Sequence, residues 1–373
     1  MKIERVGAPR VIMDNPMSPH NYFAWPSVCR LRDGRIAAAA SGFRLGHICP
    51  FGKAVMAVSD DEGQTFSRPA AVIDTPLDDR DAGLLAFGES GVMVTSFNNT
   101  REMQRHWNDT DTHGRKGAFH DYVTAYLDTV SDEVEKTYIG ATFRISNDNG
   151  RTFGPLFKSP ITSPHGPCVL ADGTILWVGR TFTYEEMPVK PLFEGVEAYT
   201  VDPVTGKMEK RGQIAYASEE DFDPAYHEPH AIALPDGRIL CHIRVQGTSP
   251  RGAVFTTYQS ESADGGYTWT LPRPILERDG GAPAHLLLHS SGVLISVYGY
   301  RSTPTGIRTA FSDDGGRTWD TGHEIFRDAT NYWDLGYPMT VEREDGGLLT
   351  VFYAHESRTA PAVIYAQDWR FSR

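Results

Sequence analysis

The strongest constraint on the fold is a unit that recurs six times along the 373 residues. Each copy carries a short segment with Pro or Gly, an apolar stretch, a Gly turn and a second apolar stretch. Residues 25–42 and 163–180 are two clear examples. The turn glycines are Gly34, Gly91, Gly173, Gly237, Gly292 and Gly346, at intervals of 57, 82, 64, 55 and 54 residues. Asp-Gly between two apolar, β-branched-rich runs predicts a hairpin with a type I′ turn. Runs such as Thr174–Gly179 are apolar on both faces, as strands packed between sheets must be. Six such units predict an all-β, six-bladed β-propeller, which closes radially and leaves few free edges. The chain then reads as one domain, residues 1–373, although its length alone would suggest two or three.

A second motif, Ser-x-Asp-x-Gly-x-Thr-aromatic, occurs four times: Ser59 to Phe66, Ser146 to Phe153, Ser262 to Trp269 and Ser312 to Trp319. Its Ser and Asp can bond the turn's own backbone, its Gly supplies a rare φ, and its aromatic is expected under the next sheet. Metal binding by Asp61, Asp148, Asp264 and Asp314 is the weaker reading, and a repeated structural turn is the stronger. A degenerate copy lies near Val201–Glu209. The long second interval holds Val123, Tyr126, Leu127, Val130 and Val134 at helical spacing. That pattern predicts a loop-plus-helix insertion in blade two, about residues 100–138, serving as lid, interface or packed decoration. A smaller loop, residues 184–195, lengthens blade three.

Aligned on their turns, the repeats place residues seven to eleven before each glycine at the start of the innermost strand, where propeller pockets form. Those positions hold Trp25, Arg80, Asp81, His165, His227, Glu228 and Tyr337, among others. A core needs none of those charges and imidazoles. Past the turns, Arg44, Arg180, Arg244 and Arg301 return toward the same rim. Guanidinium groups match carboxylates bidentately, so the economical reading is a pocket for an acidic sugar or similar anion. Arginine–aspartate pairing within the rim, with Asp79, Asp81 or Glu228, is the competing one.

The four motif turns are Asp-boxes, and through them the chain resembles the sialidase (neuraminidase) superfamily of six-bladed propellers over essentially its whole length. The resemblance implies a glycoside hydrolase acting on an acidic sugar. In that family a Tyr deprotonated by a Glu attacks the anomeric carbon while three arginines hold the substrate carboxylate. Tyr337 matches the nucleophile, Glu228 its activator, and Arg244 and Arg308 the second and third arginines. Two positions depart from the pattern. The stretch Phe23–Pro26 replaces the family's first Arg-Ile-Pro motif, leaving Arg44 or Arg80 to stand in. Residues 44–53 offer Arg44 and His47 but no carboxylate for the acid/base, leaving His47, Asp79 or Asp81. The expected clamp is therefore Arg44, Arg244 and Arg308, with Asp81 or His47 as proton donor and Arg80, Arg180 and Arg301 nearby.

His47, His165, His227 and His230 all map near the mouth, and histidine is easily poised for proton transfer. A His/Tyr pair with arginines on a uronate would suit a polysaccharide lyase, and a glycan-binding propeller without catalysis is a third class. Zinc held by His227 and His230 is weaker still, lacking an obvious third ligand.

Lys and Arg number 36 against 48 Asp and Glu, a net charge of −12. That balance disfavours nucleic acid or an anionic membrane as partner and leaves an acidic carbohydrate as the expected one. No apolar run approaches the ~20 residues of a membrane helix, and no Gly-rich loop opens a helix to hold a nucleotide cofactor. Neither a cofactor nor a metal is expected. Residues 1–13 lack the design of a signal peptide, and Cys29, Cys49, Cys168 and Cys241 stand isolated. Reduced thiols in a cytoplasmic protein are the simplest expectation.

Overall fold

The computed structural model describes residues 1–373 apart from 111–116, 182–194, 218–223, 250–251, 277–279 and 282. Six antiparallel sheets form the blades of a propeller, as the repeats predict. Blade one runs outward through Tyr22–Arg30, Ile36–Arg44, Lys53–Ser59 and Ala70–Ile73. Blades two to five begin at the axis with Leu84–Phe87, Cys168–Val169, Ala225–Ala233 and Ala284–Leu288. Blade six runs through Gly336–Glu342, Leu348–His355 and Ala362–Ser372, and its outermost strand is Lys2–Met13 from the other end of the chain. Pairing of Lys2 with Ser372 and Val6 with Asp368 thus closes the ring by joining both ends of the chain in one sheet. The repeat pattern does not reveal this closing strand, because residues 1–13 carry no hairpin signal.

The core consists of apolar seams between blades. Leu176 and Val178 of blade three pack with Ile243 and Val245 of blade four, and Val297 of blade five packs with Phe352 of blade six. Each such side chain, removed from water, contributes about 1.5–3 kcal/mol.

The hairpin turns differ from the type I′ expectation. In five blades the Gly amide bonds the carbonyl three residues earlier, as Gly34 does to Leu31, while only the glycine has positive φ. This is a type I turn with glycine at the left-handed bulge position. Asp33, Asp172 and Asp236 precede it in ordinary conformations and bond amides two residues on.

The four Ser-x-Asp turns are structural in the way their spacing suggests. In each, the Asp carboxylate accepts from the Thr amide and hydroxyl, and the Ser oxygen accepts from the Gly amide, at 2.6–2.9 Å and 3.0 Å for the Thr318 amide. All four carboxylates are occupied by their own turn. Packing corrects the expected direction: each turn lies against the preceding blade. Gly63 sits 2.4 Å, measured from a would-be Cβ, from Leu349 of blade six, and Gly316 likewise from Leu240 of blade four.

The blade-two insertion holds three helices, not one: Arg101–Thr110, Ala118–Thr129 and Asp132–Tyr138. Val123, Leu127 and Val130 are buried as the spacing predicts. The polar first helix was not evident because its buried residues are Gln104 and Asn108. Tyr122 stacks on Phe51 and the Tyr126 hydroxyl bonds Pro76, fixing the insertion to the rim of blade one. The blade-three loop, residues 184–195, lies almost entirely outside the described residues.

Candidate active site

The inner strands of blades one, four and six share a local device. Each is interrupted by a register shift at Trp25-Pro26, Glu228-Pro229 and Tyr337-Pro338. The residue before proline has positive φ in all three: 54° at Trp25, 42° at Glu228 and 50° at Tyr337. Asp81 takes the matching place in blade two with φ 49°. A non-glycine residue in that region costs about 1–3 kcal/mol and persists only where its surroundings over-determine it. Proline has no amide hydrogen to lose at a bulge, so the break leaves no orphan donor. The three bulges and the left-handed backbone at Asp81 thus place four side chains toward the axis, where a regular strand would alternate them away.

Three of those chains, with Arg244, form the centre. The Tyr337 hydroxyl donates to Glu228 Oε1 at 2.5 Å. Arg244 Nη1 donates to Glu228 Oε2 at 2.5 Å and to the Tyr337 oxygen at 3.0 Å, and its Nη2 bonds Gln246. Burial favours a neutral Glu228, but the Arg244 charge and the Tyr337 hydroxyl outweigh it and bring the carboxyl down to about 2. Burial and the Glu228 charge push the Tyr337 hydroxyl well up, against the pull of Arg244. Asp81 is 5% exposed; burial first, and then the Glu228 charge, push its carboxyl up to about 7. Two carboxyls on one axis are therefore driven apart, one held ionised and the other titrating near neutrality. That separation is the physical signature of a base and an acid with different tasks.

Trp25 is the floor of the funnel, 1% exposed, with its ring 6.4 Å from that of Tyr337. Arg80 lies over it at 4.1 Å. Arg301 sits 5.7 Å from the Tyr337 ring centre, donating to the Leu335 carbonyl and the Tyr353 hydroxyl. Arg80 donates Nη1 to the His47 carbonyl and to Asp78. Among the described residues, nothing accepts from Arg80 Nη2 or Arg301 Nη1, so both arginines retain donors for a ligand.

Two expected clamp residues are corrected. Arg44 is fully buried and all five of its N–H groups are engaged. They go to Asp78 at 2.5 and 3.0 Å, to Ser41, and to the carbonyls of Gly46 and His47. It is a structural cation, whereas Arg80, 4.1 Å over the Trp25 ring, keeps Nη2 unengaged among the described residues. Arg308 stacks its guanidinium 3.3 Å from the Tyr300 ring centre on the third strand of blade five, and Arg301 takes the expected position beside Tyr337. Asp79, a carboxyl raised to about 7 by burial, is bound by the Thr75 amide and hydroxyl and so belongs to the scaffold.

The histidines divide into separate groups. His47 places Nδ1 against Asp334 at 3.0 Å and the Tyr22 hydroxyl at 3.1 Å, and its ring packs 5.1 Å from Trp25. His227 Nδ1 meets Arg180 Nη1 at 3.1 Å, and burial first, then the charges of Arg244 and Arg180, bring this imidazole down to about 3. His165, His230 and a third ring not foreseen, His285, cluster with centres 4.4–5.8 Å apart, His165 edge-on to the other two. His230 Nδ1 accepts from the Leu286 amide, and burial keeps all three rings neutral. His227 and His230 therefore face different partners, which corrects the idea that they share a zinc ion. Among the described residues no three His, Cys, Asp or Glu side chains are grouped to hold a metal.

Sequence reasoning also missed Asp334. Its carboxylate accepts from Tyr22 at 2.7 Å, Tyr353 at 2.9 Å, His47 at 3.0 Å and His355 at 3.1 Å. Burial opposes ionisation there, yet the adjoining His47 and His355 hold it far below the usual carboxylate range. Through Tyr353 this hub also holds Arg301. The X-Pro pairs at matching depth were the available signal for the bulges, whereas nothing local marks Asp334.

No family profile and no characterised relative matches the chain by sequence. Solved structures match it in fold. A crystal structure of a protein of unknown function from Dyadobacter fermentans superposes with a TM-score of 0.72 at 18% identity, covering 99% of both chains. The NanB sialidase from Streptococcus pneumoniae gives 0.65 at 12% identity, covering 97% of this chain and 70% of that one. The α-L-arabinofuranosidase Arb93A from Fusarium graminearum gives 0.55 at 13% identity, over 98% of each. At these identities the likeness establishes the six-bladed propeller, which hosts more than one glycosidase chemistry.

Proposed function

We propose that the protein is a retaining glycoside hydrolase acting on an acidic sugar, sialic-acid-like or uronic. The observation that carries the reading is the Tyr337–Glu228–Arg244 constellation, with Asp81, its carboxyl raised by burial, on the same axis. In the first step Tyr337 Oη bonds the anomeric carbon as the glycosidic C–O bond breaks. The Tyr337 proton passes to Glu228 Oε1, and Asp81 gives its proton to the leaving oxygen. Glu228 at about 2 is too weak a base to ionise the phenol beforehand, so that proton moves as the new bond forms. Arg244, bonded to both oxygens, stabilises the charge as it shifts. In the second step Asp81 takes a proton from water, the water oxygen attacks the anomeric carbon, and Glu228 returns its proton to the departing Tyr337. Arg80 and Arg301 receive the substrate carboxylate. A neutral phenol approaches such a carbon without repulsion from that carboxylate, which a second carboxylate nucleophile would suffer.

Sialosides and uronic-acid oligosaccharides, incubated with the protein and analysed by mass, test this directly. Hydrolysis adds the mass of water to the summed products and gives the retained anomer. Products of unchanged total mass with ultraviolet absorbance would replace the reading with a lyase, and saturable binding without product would replace it with a lectin.

A further inference from the structure

Beside the funnel, between blades one and six and the helical insertion, lies a cavity of about 450 Å³. Its walls include Tyr22, His47, Phe119, Tyr332, His355 and Pro361. Its size is typical of a small-ligand pocket, about 300–1,000 Å³. His47 is the wall shared with the funnel, since its ring also packs against Trp25. Trp333 stands on the rim, 43% exposed, within 6.0 Å of both the His47 ring and the Arg301 guanidinium.

The chemistry of this cavity is the opposite of the funnel's. Among the described residues, no Lys or Arg lines it. Among the described lining residues the one carboxylate, Asp334, is answered by four donors and offers no unopposed charge. Phe119, half exposed, and Tyr332 present ring surface. Among the described residues, no hydrogen bond engages the Tyr332 hydroxyl or the Asn21 side-chain amide. Flat aromatic surface together with a few uncommitted polar groups suits a sugar ring, whose axial C–H face stacks while its hydroxyls bond.

We propose that this cavity is a subsite for a neutral sugar unit, the one joined to the acidic sugar held by Arg80 and Arg301. The assignment of a linked unit rests on the hydrolase reading above; the cavity's preference for an uncharged sugar stands on its own walls. The insertion then acts as the subsite's outer wall, contributing Phe119, and Gln104 anchors it by donating to Asp78 at 3.0 Å.

The test is binding of two neutral probes, lactose and arabinobiose, and one acidic probe, N-acetylneuraminic acid, followed by saturation-transfer NMR on the full chain. Phe119→Ala removes the stacking ring and Thr359→Trp fills the cavity; both positions are exposed, so folding is preserved. At least one neutral probe is expected to bind the wild type and to weaken tenfold or more in both variants, with the acidic probe changed less than twofold. If neither neutral probe binds, or both variants bind them as the wild type does, the subsite is overturned while the funnel reading stands. If the neutral probes behave as expected but N-acetylneuraminic acid, and then glucuronic acid added as a second acidic probe, fail to bind, the acidic-sugar reading falls and the cavity remains a neutral-sugar site.

Discussion

Two arginine–carboxylate pairs, one in the wall beside Trp25 and one bonded to Tyr337, teach what separates a structural ion pair from a chemical one. Arg44 and Asp78 are fully buried, and every N–H of the arginine is engaged. Asp78 accepts in addition from Gln104 of the insertion and from Arg80. That pair sits on ordinary strand and loop backbone and holds blade one, the insertion and the funnel wall together. Arg244 and Glu228 are comparably close, but Glu228 rests on a strained bulge and its second oxygen holds a phenol proton. One pair is closed on itself. The other has a transferable proton at its centre.

The largest expected effect is on the second pair. Tyr337→Phe removes the attacking oxygen and is expected to lower turnover of an acidic glycoside by about 10³-fold or more. The melting temperature should move little, since the ring and its packing remain. Equal turnover in the variant would erase the distinction between the pairs.

The complementary change is Arg44→Ala. It strands Asp78 in the interior, and breaking a buried pair in this way costs about 3–5 kcal/mol, readable in urea unfolding. The folded fraction should keep its kcat within a fewfold. A large kcat loss with unchanged stability would make Arg44 a ligand residue after all.

Asp81→Asn is expected to lower kcat/KM by about 10²–10³-fold and to abolish the alkaline limb of the pH profile near pH 7. The sign follows from the raised carboxyl: activity requires the protonated form and falls as pH rises through about 7. Stability carries the same sign. A folded-state value above the unfolded one favours folding below about pH 4, and that contribution is lost as pH climbs to 7. The melting temperature should therefore decline less between pH 4 and pH 8 in Asp81→Asn than in the wild type.

The smallest effect separates Arg301 from Arg308, the arginine that the sequence pattern places in the clamp. Arg301→Ala should raise KM for an acidic glycoside by about 10–100-fold, an interaction worth roughly 1.4–2.7 kcal/mol. Arg308→Ala should change KM by less than twofold, because its guanidinium lies on Tyr300. Reversed results would restore Arg308 to the clamp.

The ring of six blades was legible because hairpin glycines and Ser-x-Asp turns are local signals that repeat at blade spacing. Depth in the funnel was legible for the same reason: counting back from each glycine brought Asp81, Glu228 and Tyr337 to one level. What the count could not provide was direction. Arg44 and Arg301 return toward the same rim at similar offsets, yet one turns into the wall toward Asp78 and the other toward Tyr337. That outcome depends on a carboxylate 34 residues away in sequence and on a helix whose buried face is polar. Asp334 was invisible for a related reason, since its four donors come from three separate parts of the chain. The closing strand carried no repeat at all.

The central claim is that Tyr337 forms the covalent bond to the sugar. A fluorinated acidic glycosyl donor, whose second step is slowed, should leave a stoichiometric adduct visible in the intact-protein mass. Fragmentation of the peptide spanning Gly336–Glu342 is expected to place the sugar on Tyr337, and Glu228→Gln should suppress its formation. An adduct on Glu228 or Asp81, or steady turnover of the parent glycoside with no trapped species, would contradict the account.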